Sequence, residues 1–403
     1  MRNADARWRE QPWRWVVLAA CAAILVWRKW DVASDPQLWA EDGNVFYLEA
    51  HVFGLAAFVH SYAGYLHFLP RLIAWVADTL DPCWTPAIYV YGSLAFTVAT
   101  VARVLSPRLA LPGSAGLALA VVAVPHTGEV FLNPTNLQWI TGLALVALAI
   151  TSDPTSQGEW TADLVTVLVV GLTGPFGLLL APFFLLRAVR RRTRASWIIA
   201  AGVLAVGAVQ GWEVVTHVAE ARRGQPQADW VPLNIGPVLA GRVPLALFGA
   251  QAWAPRISAH TATVLAAGCL VAIGWIATRR DSWGFSRLMI AGAAAVLLAA
   301  AVWKIRVDTW PYGEFVNGDR YFYVPKVLLA WLVVSAVDWR TWRGRAAMAM
   351  LAGGVIGSWP VWRCAPIPHH DWSRFCDAIR AGERVTVEIS PDWKFTLPAK
   401  ASR

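Results

Sequence analysis

Long apolar runs, most of them bounded by tryptophan, arginine or a turn, set the pattern of this chain. They cover residues 13–30, 86–105, 109–125, 137–151, 162–186, 195–217, 259–278, 283–303, 321–338 and 346–362. A helix needs roughly 20 apolar residues to cross ~30 Å of hydrocarbon, and each run lies near that length, the shortest marginally so. The run 162–186 is interrupted by Thr173-Gly174-Pro175. Proline removes a backbone donor and breaks a helix, so this run is expected to enter and return as a hairpin. The pattern predicts an all-α, polytopic transmembrane bundle of about eleven spans, the broken hairpin counted as two.

Two polar stretches remain, 31–85 and 363–403. The second is expected to form a short helix over 370–381 and a hairpin over 384–398. In the hairpin Val385, Val387 and Ile389 alternate ahead of the turn residues Ser390-Pro391-Asp392. A tail of about forty residues cannot hold its own core. It therefore reads as a cap on a membrane domain spanning 1–362. Within 31–85, residues 45–59 have the spacing of an interfacial helix. Residues 65–80 carry His67, Pro70, Arg71 and Asp78, which also suits an interface better than a span. A rival topology makes 65–80 a span and 162–186 a single crossing, and moves Arg103 and Arg108 to the opposite side.

Composition agrees with a membrane protein. Of 403 residues, 57% are hydrophobic and only 15% charged, with mean hydropathy +0.45; soluble chains are roughly a quarter charged. The 25 tryptophans suit residues that anchor at membrane interfaces. The net charge of +9 would suggest nucleic acid in a soluble protein, but arginine placement explains it differently. Arg187, Arg190, Arg191, Arg192 and Arg194 mark one cytoplasmic loop, Arg279 and Arg280 a second, and Arg340, Arg343 and Arg345 a third. Arg2, Arg7, Arg9 and Arg14 place the N-terminus inside, Arg103 and Arg108 fit an inner turn, and the C-terminal tail falls outside with all eight histidines. Trp27-Arg28-Lys29-Trp30 follows the first run where a cleavage site would stand, so that run reads as a retained span. The positive charge is an orientation signal for a multi-pass plasma-membrane protein, and no nucleic-acid partner is expected. Cys364 and Cys376 can close a loop in the tail, with Cys83 a competing partner.

Candidate chemistry gathers in the outer segments. Glu41 and Asp42 precede Gly43 at the head of the first interfacial helix; a carboxylate held at the membrane surface loses hydration and is suited to act as a base, while Asp42 is equally placed to cap the helix. Arg71 is a lone cation in an apolar segment, able to pair with Asp78 or to hold a phosphate, and Tyr65 and His67 lie just ahead of it. Glu129, Asn133, Asn136 and Gln138 can line a polar cavity or simply form a turn and a cap. Asp319, Arg320 and Tyr321 open a late span, with Lys326 further in and Glu314 or Asp319 as possible partners for the cation. The sequence has no His-x3-His or Cys-x2-Cys spacing and no glycine-rich nucleotide loop after a strand, which argues against a metal centre and a nucleotide-driven pump.

With these residues in place, the chain resembles the GT-C superfamily of membrane glycosyltransferases. The resemblance rests on one N-terminal span, a long outer loop with an acidic motif (Glu41-Asp42-Gly43), and a many-helix bundle. Arg71-Leu72-Ile73-Ala74 resembles the Arg-Leu segment that follows the acidic motif, and Gly318-Asp319-Arg320-Tyr321-Phe322 with Pro325 looks like a late Arg-Tyr motif. Thr173-Gly174-Pro175-Phe176 and Pro391-Asp392-Trp393 are similar to segments of uncharacterised members. The acidic motif departs from the Asp-x-Asp form, and the tail is smaller than the soluble domain of larger members. The resemblance implies transfer of a sugar from a polyprenyl-phosphate carrier to a hydroxyl of a cell-envelope glycan or lipid, with inversion. Asp42 or Glu41 would be the base, Arg320 and Arg71 would stabilise the leaving phosphate, and Trp39, Tyr62, Tyr65, Tyr321 and Trp393 would stack on sugar. No cofactor is implied, a divalent metal ion on the carboxylates being the one possible addition. A multi-pass transporter or flippase, or a scaffold without activity, is the alternative. Transport predicts ionisable groups at mid-membrane.

Overall fold

The computed structural model describes residues 11–221, 235–248, 257–278, 281–305, 318–359 and 362–399. The chain is predominantly helical. Helix α1 (Trp13–Arg28) leads to a π-turn at Asp42–Tyr47, then α2 (Leu48–Phe53) and α3 (Phe68–Thr79). The bundle continues through α4 (Thr85–Val104), α5 (Ser114–Ala123), α6 (Leu137–Ile150), α7 (Gln157–Gly171), α8 (Phe176–Arg191) and α9 (Arg194–Thr216). Then follow α10 (Ile235–Ala240, extended by a π-turn at Gly241–Leu245), α11 (Ala259–Ala277), α12 (Gly284–Ile305), α13 (Arg320–Val334) and α14 (Trp342–Ser358). A hairpin of β1 (Val385–Ile389) and β2 (Trp393–Leu397) ends the described chain.

The broken run forms the expected hairpin. Asp153, ahead of α7, binds Arg187 (2.8 Å) and Arg191 (2.9 Å) at the end of α8, so the chain returns to the end it left. At the opposite end the backbone N–H of Gly174 donates to Leu66 (3.0 Å), and Thr173 bridges His67. Helix α9 then packs back along α8 with the backbones close together: a Cβ on Gly207 would stand 3.1 Å from the carbonyl oxygen of Gly177. Close approach through small residues is how helices associate where no water drives them together.

The bundle has two chemically different ends. At one, Arg103 and Arg108 clasp the buried Asp163, Arg187 and Arg191 hold Asp153, and Arg287 holds Asp281 (2.9 Å). Arg103 and Arg108 therefore share an end with the arginines of the α8–α9 loop, as the hairpin topology requires and its rival does not. At the other end lie the π-turn loop, the α5–α6 loop, the α7–α8 turn and the start of α13. Arg2, Arg7, Arg9, Arg279, Arg280 and Glu314 lie outside the described residues. Exposed tryptophans ring both ends, Trp13, Trp15, Trp197, Trp339 and Trp342 at the arginine end and Trp27, Trp30, Trp84, Trp212, Trp303 and Trp359 at the other.

The count of about eleven spans needs correction. Among the described residues only Pro82–Val104, Arg194–Thr216, Ala259–Ala277 and Gly284–Lys304 are long and apolar enough to cross a membrane. These are the helices of a membrane protein, but the other runs fold into shorter pieces. Helix α6, 14 residues long, is buried almost throughout. At 1.5 Å per residue it reaches about 21 Å, short of the ~30 Å core. Its flanking segments, Asn133–Asn136 and Thr151, are themselves buried in protein, which is where irregular backbone can lie at membrane depth.

The tail packs on the end opposite the arginines. A short turn at Trp372–Phe375 and a helix at Cys376–Arg380 precede the hairpin. The inward face of the hairpin (Val387, Ile389, Phe395 and Leu397) joins Leu38, Phe46, Tyr47 and Leu69 in a second core. Trp372 donates to the Pro82 carbonyl (2.8 Å), Arg380 binds Asp81 (2.8 Å), and a disulfide joins Cys83 to Cys376. The competing partner thus prevails over the Cys364–Cys376 pairing, and Cys364 is a buried free thiol.

Gly174 makes the α7–α8 turn possible. Its φ of +97° is costly for any other residue, and a Cβ there would lie 2.1 Å from Oε1 of Gln138. Gly174→Ala should destabilise the protein by about 1–3 kcal/mol, seen as a lower midpoint in a thermal-unfolding assay of the purified protein. An unchanged midpoint would contradict this account of the turn.

Candidate functional site

The acidic motif lies beneath the cap. Ala40 turns the chain with φ 44° and donates its N–H to the Ser390 carbonyl (2.6 Å), so the hairpin turn and the first loop are stitched together. Gly43 follows where the hairpin presses closest, since a Cβ there would stand 2.5 Å from the Phe395 ring. The loop then enters the π-turn with Asp42 wholly buried.

Asp42 does not cap a helix. Its Oδ1 accepts from the backbone N–H (2.9 Å) and the hydroxyl (2.7 Å) of Thr135, and its Oδ2 from the N–H of Trp39 (3.2 Å). Burial pushes the carboxyl up to about 7; the donors from Thr135 and Trp39 oppose the rise, and the charge of Glu41 adds to it. A carboxylate wrapped this way fastens the first loop to the α5–α6 loop. It has no free face toward a substrate.

Glu41 is the more open carboxylate. Tyr62 donates its hydroxyl to Glu41 Oε1 (3.0 Å). Tyr62 and Tyr65 flank a tight two-residue turn whose central Ala63 and Gly64 have φ of 54° and 88°, and they exchange backbone hydrogen bonds of 3.1 and 3.2 Å. The turn thus presents both phenols side by side. Tyr65 stacks on His67 at 4.5 Å and accepts from Gln138 (3.3 Å). Burial, with the charge of Arg71 acting the same way, depresses His67 to about 3, leaving a neutral ring for stacking.

Arg320 completes the group. It forms an ion pair with Glu129 and stands over the Tyr321 ring at 5.3 Å, and Tyr321 in turn meets Trp139 edge-on at 5.0 Å. Glu41, Tyr62 and Tyr65 all lie within electrostatic reach of Arg320. The acidic loop and the late Arg-Tyr segment therefore meet although nearly 280 residues separate them.

The remaining candidates surround or miss this cluster. Asn133 and Asn136 both donate to the carbonyl of Glu129 (2.8 and 2.9 Å), so they shape the loop that carries it. Asp319 binds Lys326 (2.9 Å) and accepts from the N–H of Thr127 (3.1 Å), with His126 at 3.4 Å. Burial alone would raise its carboxyl, but these partners hold it below the ordinary range. Arg71 pairs with Glu49 (2.6 Å) and not with Asp78, which takes His51 (2.7 Å) instead. Trp393 stands on the hairpin in register with Ile389, 38% exposed, and adds nothing to the group around Arg320. Thr135 and Tyr62 hold the two carboxylates from 93 and 21 residues away, and no local spacing marks either pairing; Tyr62, expected to stack on sugar, instead donates to Glu41.

Among the described residues no three of His, Cys, Asp and Glu stand together in a way that could hold a metal ion. An apolar groove of about 460 Å³ runs between α10, α11, α12 and α13, lined by Ala240, Leu270, Ala294, Leu298, Pro325 and Leu329. On α13 the groove takes Pro325, Leu329 and Leu332, and Pro325 lies about 7.5 Å along the helix from Arg320 and roughly 140° around it, so the groove opens on a different face from the guanidinium. Comparison of the chain with known protein families, with curated proteins and with solved structures found no match.

The buried carboxyl of Asp42 sets a pH dependence. Its folded value near 7 lies above the ordinary 3.8, so between those limits the folded chain holds a proton that the unfolded chain has lost. The stability this contributes is fully present below about pH 4 and is lost as pH rises through 7. The thermal-stability advantage of the wild type over Asp42→Asn should therefore shrink between pH 4 and 7. A difference that stays constant or widens would contradict the assignment.

Proposed function

We propose that the protein is a multi-pass membrane glycosyltransferase of the GT-C type. It moves a sugar from a polyprenyl-phosphate donor to a hydroxyl of a cell-envelope glycan or lipid. The convergence of Glu41, Tyr62 and Tyr65 within electrostatic reach of Arg320 carries the reading. By the inside-positive rule the arginine end is cytoplasmic, and the capped end with its carboxylates faces outward. The four long apolar helices cross the plasma membrane between these two ends.

Chemistry on this site follows from its parts. The carrier phosphate reaches Arg320, which exchanges part of its pairing with Glu129 for the phosphate oxygens. Glu41 takes the proton of the acceptor hydroxyl as that oxygen attacks the anomeric carbon. The bond from carbon to phosphate oxygen breaks on the opposite face, the electron pair leaves with the polyprenyl phosphate, and the configuration inverts. Arg320 stabilises charge that grows on the leaving group. Tyr65 and Tyr321 offer ring faces to the sugar. Asp42, wholly buried and hydrogen-bonded to Thr135 and Trp39, holds Glu41 in place; of the two carboxylates, Glu41 is the base. Transport is the weaker reading because the ion pairs gather at the two ends of the bundle, where chemistry at a surface needs them and passage through it does not.

The test uses purified protein in proteoliposomes with a panel of synthetic polyprenyl-phosphate sugars and cell-envelope lipid and glycan acceptors. Release of polyprenyl phosphate is followed by mass spectrometry. Glu41→Gln should lower turnover by about 10²–10⁴-fold, the usual contribution of a general base, with the unfolding midpoint unchanged. Full turnover in Glu41→Gln would remove Glu41 from the mechanism, and no turnover across the panel would count against glycosyl transfer.

A further inference from the structure

The first loop contains an apolar stretch that the proposed transfer leaves unused. The interfacial helix expected over 45–59 breaks at Gly54, whose φ of +55° ends α2 and opens a 3-10 turn over Gly54–Val59. Its first half is buried, with Phe46, Tyr47 and Ala50 in the core shared with the hairpin. The second half, residues 52–59, reads Val-Phe-Gly-Leu-Ala-Ala-Phe-Val and has neither a charge nor a hydrogen-bonding side chain. Val52, Phe53, Leu55 and Val59 are 48–73% exposed, and Ala56 is exposed beside them. The flanking histidines are engaged elsewhere: His51 holds Asp78 (2.7 Å), and His60 lies 3.3 Å from Glu49. A contiguous run of exposed apolar side chains marks a contact with a partner or with lipid.

The height of this stretch in the bundle says which. Phe58 packs against Phe68 with ring centroids 5.5 Å apart, and Phe68 donates its N–H to Leu172 (3.0 Å) at the end of α7. Leu66 meets α9, where Gln210 accepts from the Leu66 N–H (2.9 Å) and donates to its carbonyl (3.2 Å). Helix α9, one of the four long enough to cross a membrane, continues six residues past Gln210 to Thr216, about 9 Å. Over that length it exposes Trp212 and Val215. A bilayer that covers these two side chains also reaches the level of Leu66 and of the stretch beside it. Interfacial segments bury their apolar face ~5–10 Å inside the headgroup boundary, which is the same depth.

We propose that residues 52–59 insert into the leaflet at the capped end as an anchor, with acyl chains covering Val52, Phe53, Leu55 and Val59. The stretch joins the π-turn that begins at Asp42 to the turn that carries Tyr62 and Tyr65. Insertion therefore holds both against the membrane surface. It requires a membrane but not glycosyl transfer, and it is read without turnover, so the two proposals fail separately.

The test uses full-length protein with Leu55→Cys, labelled with a nitrobenzoxadiazole fluorophore and reconstituted in phosphatidylcholine nanodiscs. Glu388→Cys, on the exposed face of the hairpin, is the control, and unsubstituted protein gives the blank for its own thiols. Doxyl-labelled lipid should quench the label at Leu55→Cys at least about twofold more than aqueous iodide does, as for a site ~5–10 Å inside the boundary, and the order should reverse at Glu388→Cys. Val59→Cys should repeat the Leu55→Cys result, so that one poorly folded variant does not decide the outcome. Iodide quenching at both positions as strong as at Glu388→Cys would overturn the proposal by placing the stretch in water. Protection from both quenchers would overturn it as well, by showing a protein partner or a second copy of the chain over the stretch.

Discussion

The buried carboxyl of Asp42 is the constraint on which the capped end depends. It draws donors from Trp39 on its own loop and from Thr135 on the α5–α6 loop, and the C-terminal hairpin seals it through Ser390 and Phe395. A carboxyl stripped of water is unfavourable unless hydrogen-bonded, so each of these segments needs the others in position. With that anchor in place, neighbouring Glu41 is fixed at the edge of the buried zone. Tyr62 holds it there and Arg320 lies within electrostatic reach.

The rest of the bundle follows from where charge can be afforded. Apolar helices carry few ions, so arginines and carboxylates collect at the two ends and pair there. Ion pairs at the arginine end close the α7–α8 hairpin onto itself, and those at the capped end tie the α5–α6 loop to the start of α13. Several helices are shorter than a bilayer, and the loops that flank α6 are buried in protein, where side chains and neighbouring backbone supply their hydrogen bonds.

Local pattern carried much of this in the sequence. The break at Thr173-Gly174-Pro175, the alternating Val385, Val387 and Ile389, and the end to which Arg103 and Arg108 belong are all properties of short stretches, and they appear in the structure as expected. The length of the helices did not follow from hydropathy, because a buried loop and a helix end can be equally apolar. Pairings across long separations were likewise hidden. Nothing in the spacing joins Asp42 to Thr135, Arg71 to Glu49 or Cys83 to Cys376. Two adjacent carboxylates also look alike in sequence, and only burial separates Asp42 as an anchor from Glu41 as the accessible group.

The central claim is that the Asp42 carboxyl and Thr135 bind the first loop to the α5–α6 loop. A double-mutant cycle of Asp42→Asn and Thr135→Val, read by equilibrium unfolding of the purified protein at neutral pH, tests it most directly. The two substitutions should be coupled by at least about 1 kcal/mol, as expected for residues that share a buried hydrogen bond. Effects that add to within about 0.5 kcal/mol, as they do for independent sites, would show that the contact does not hold the loops together.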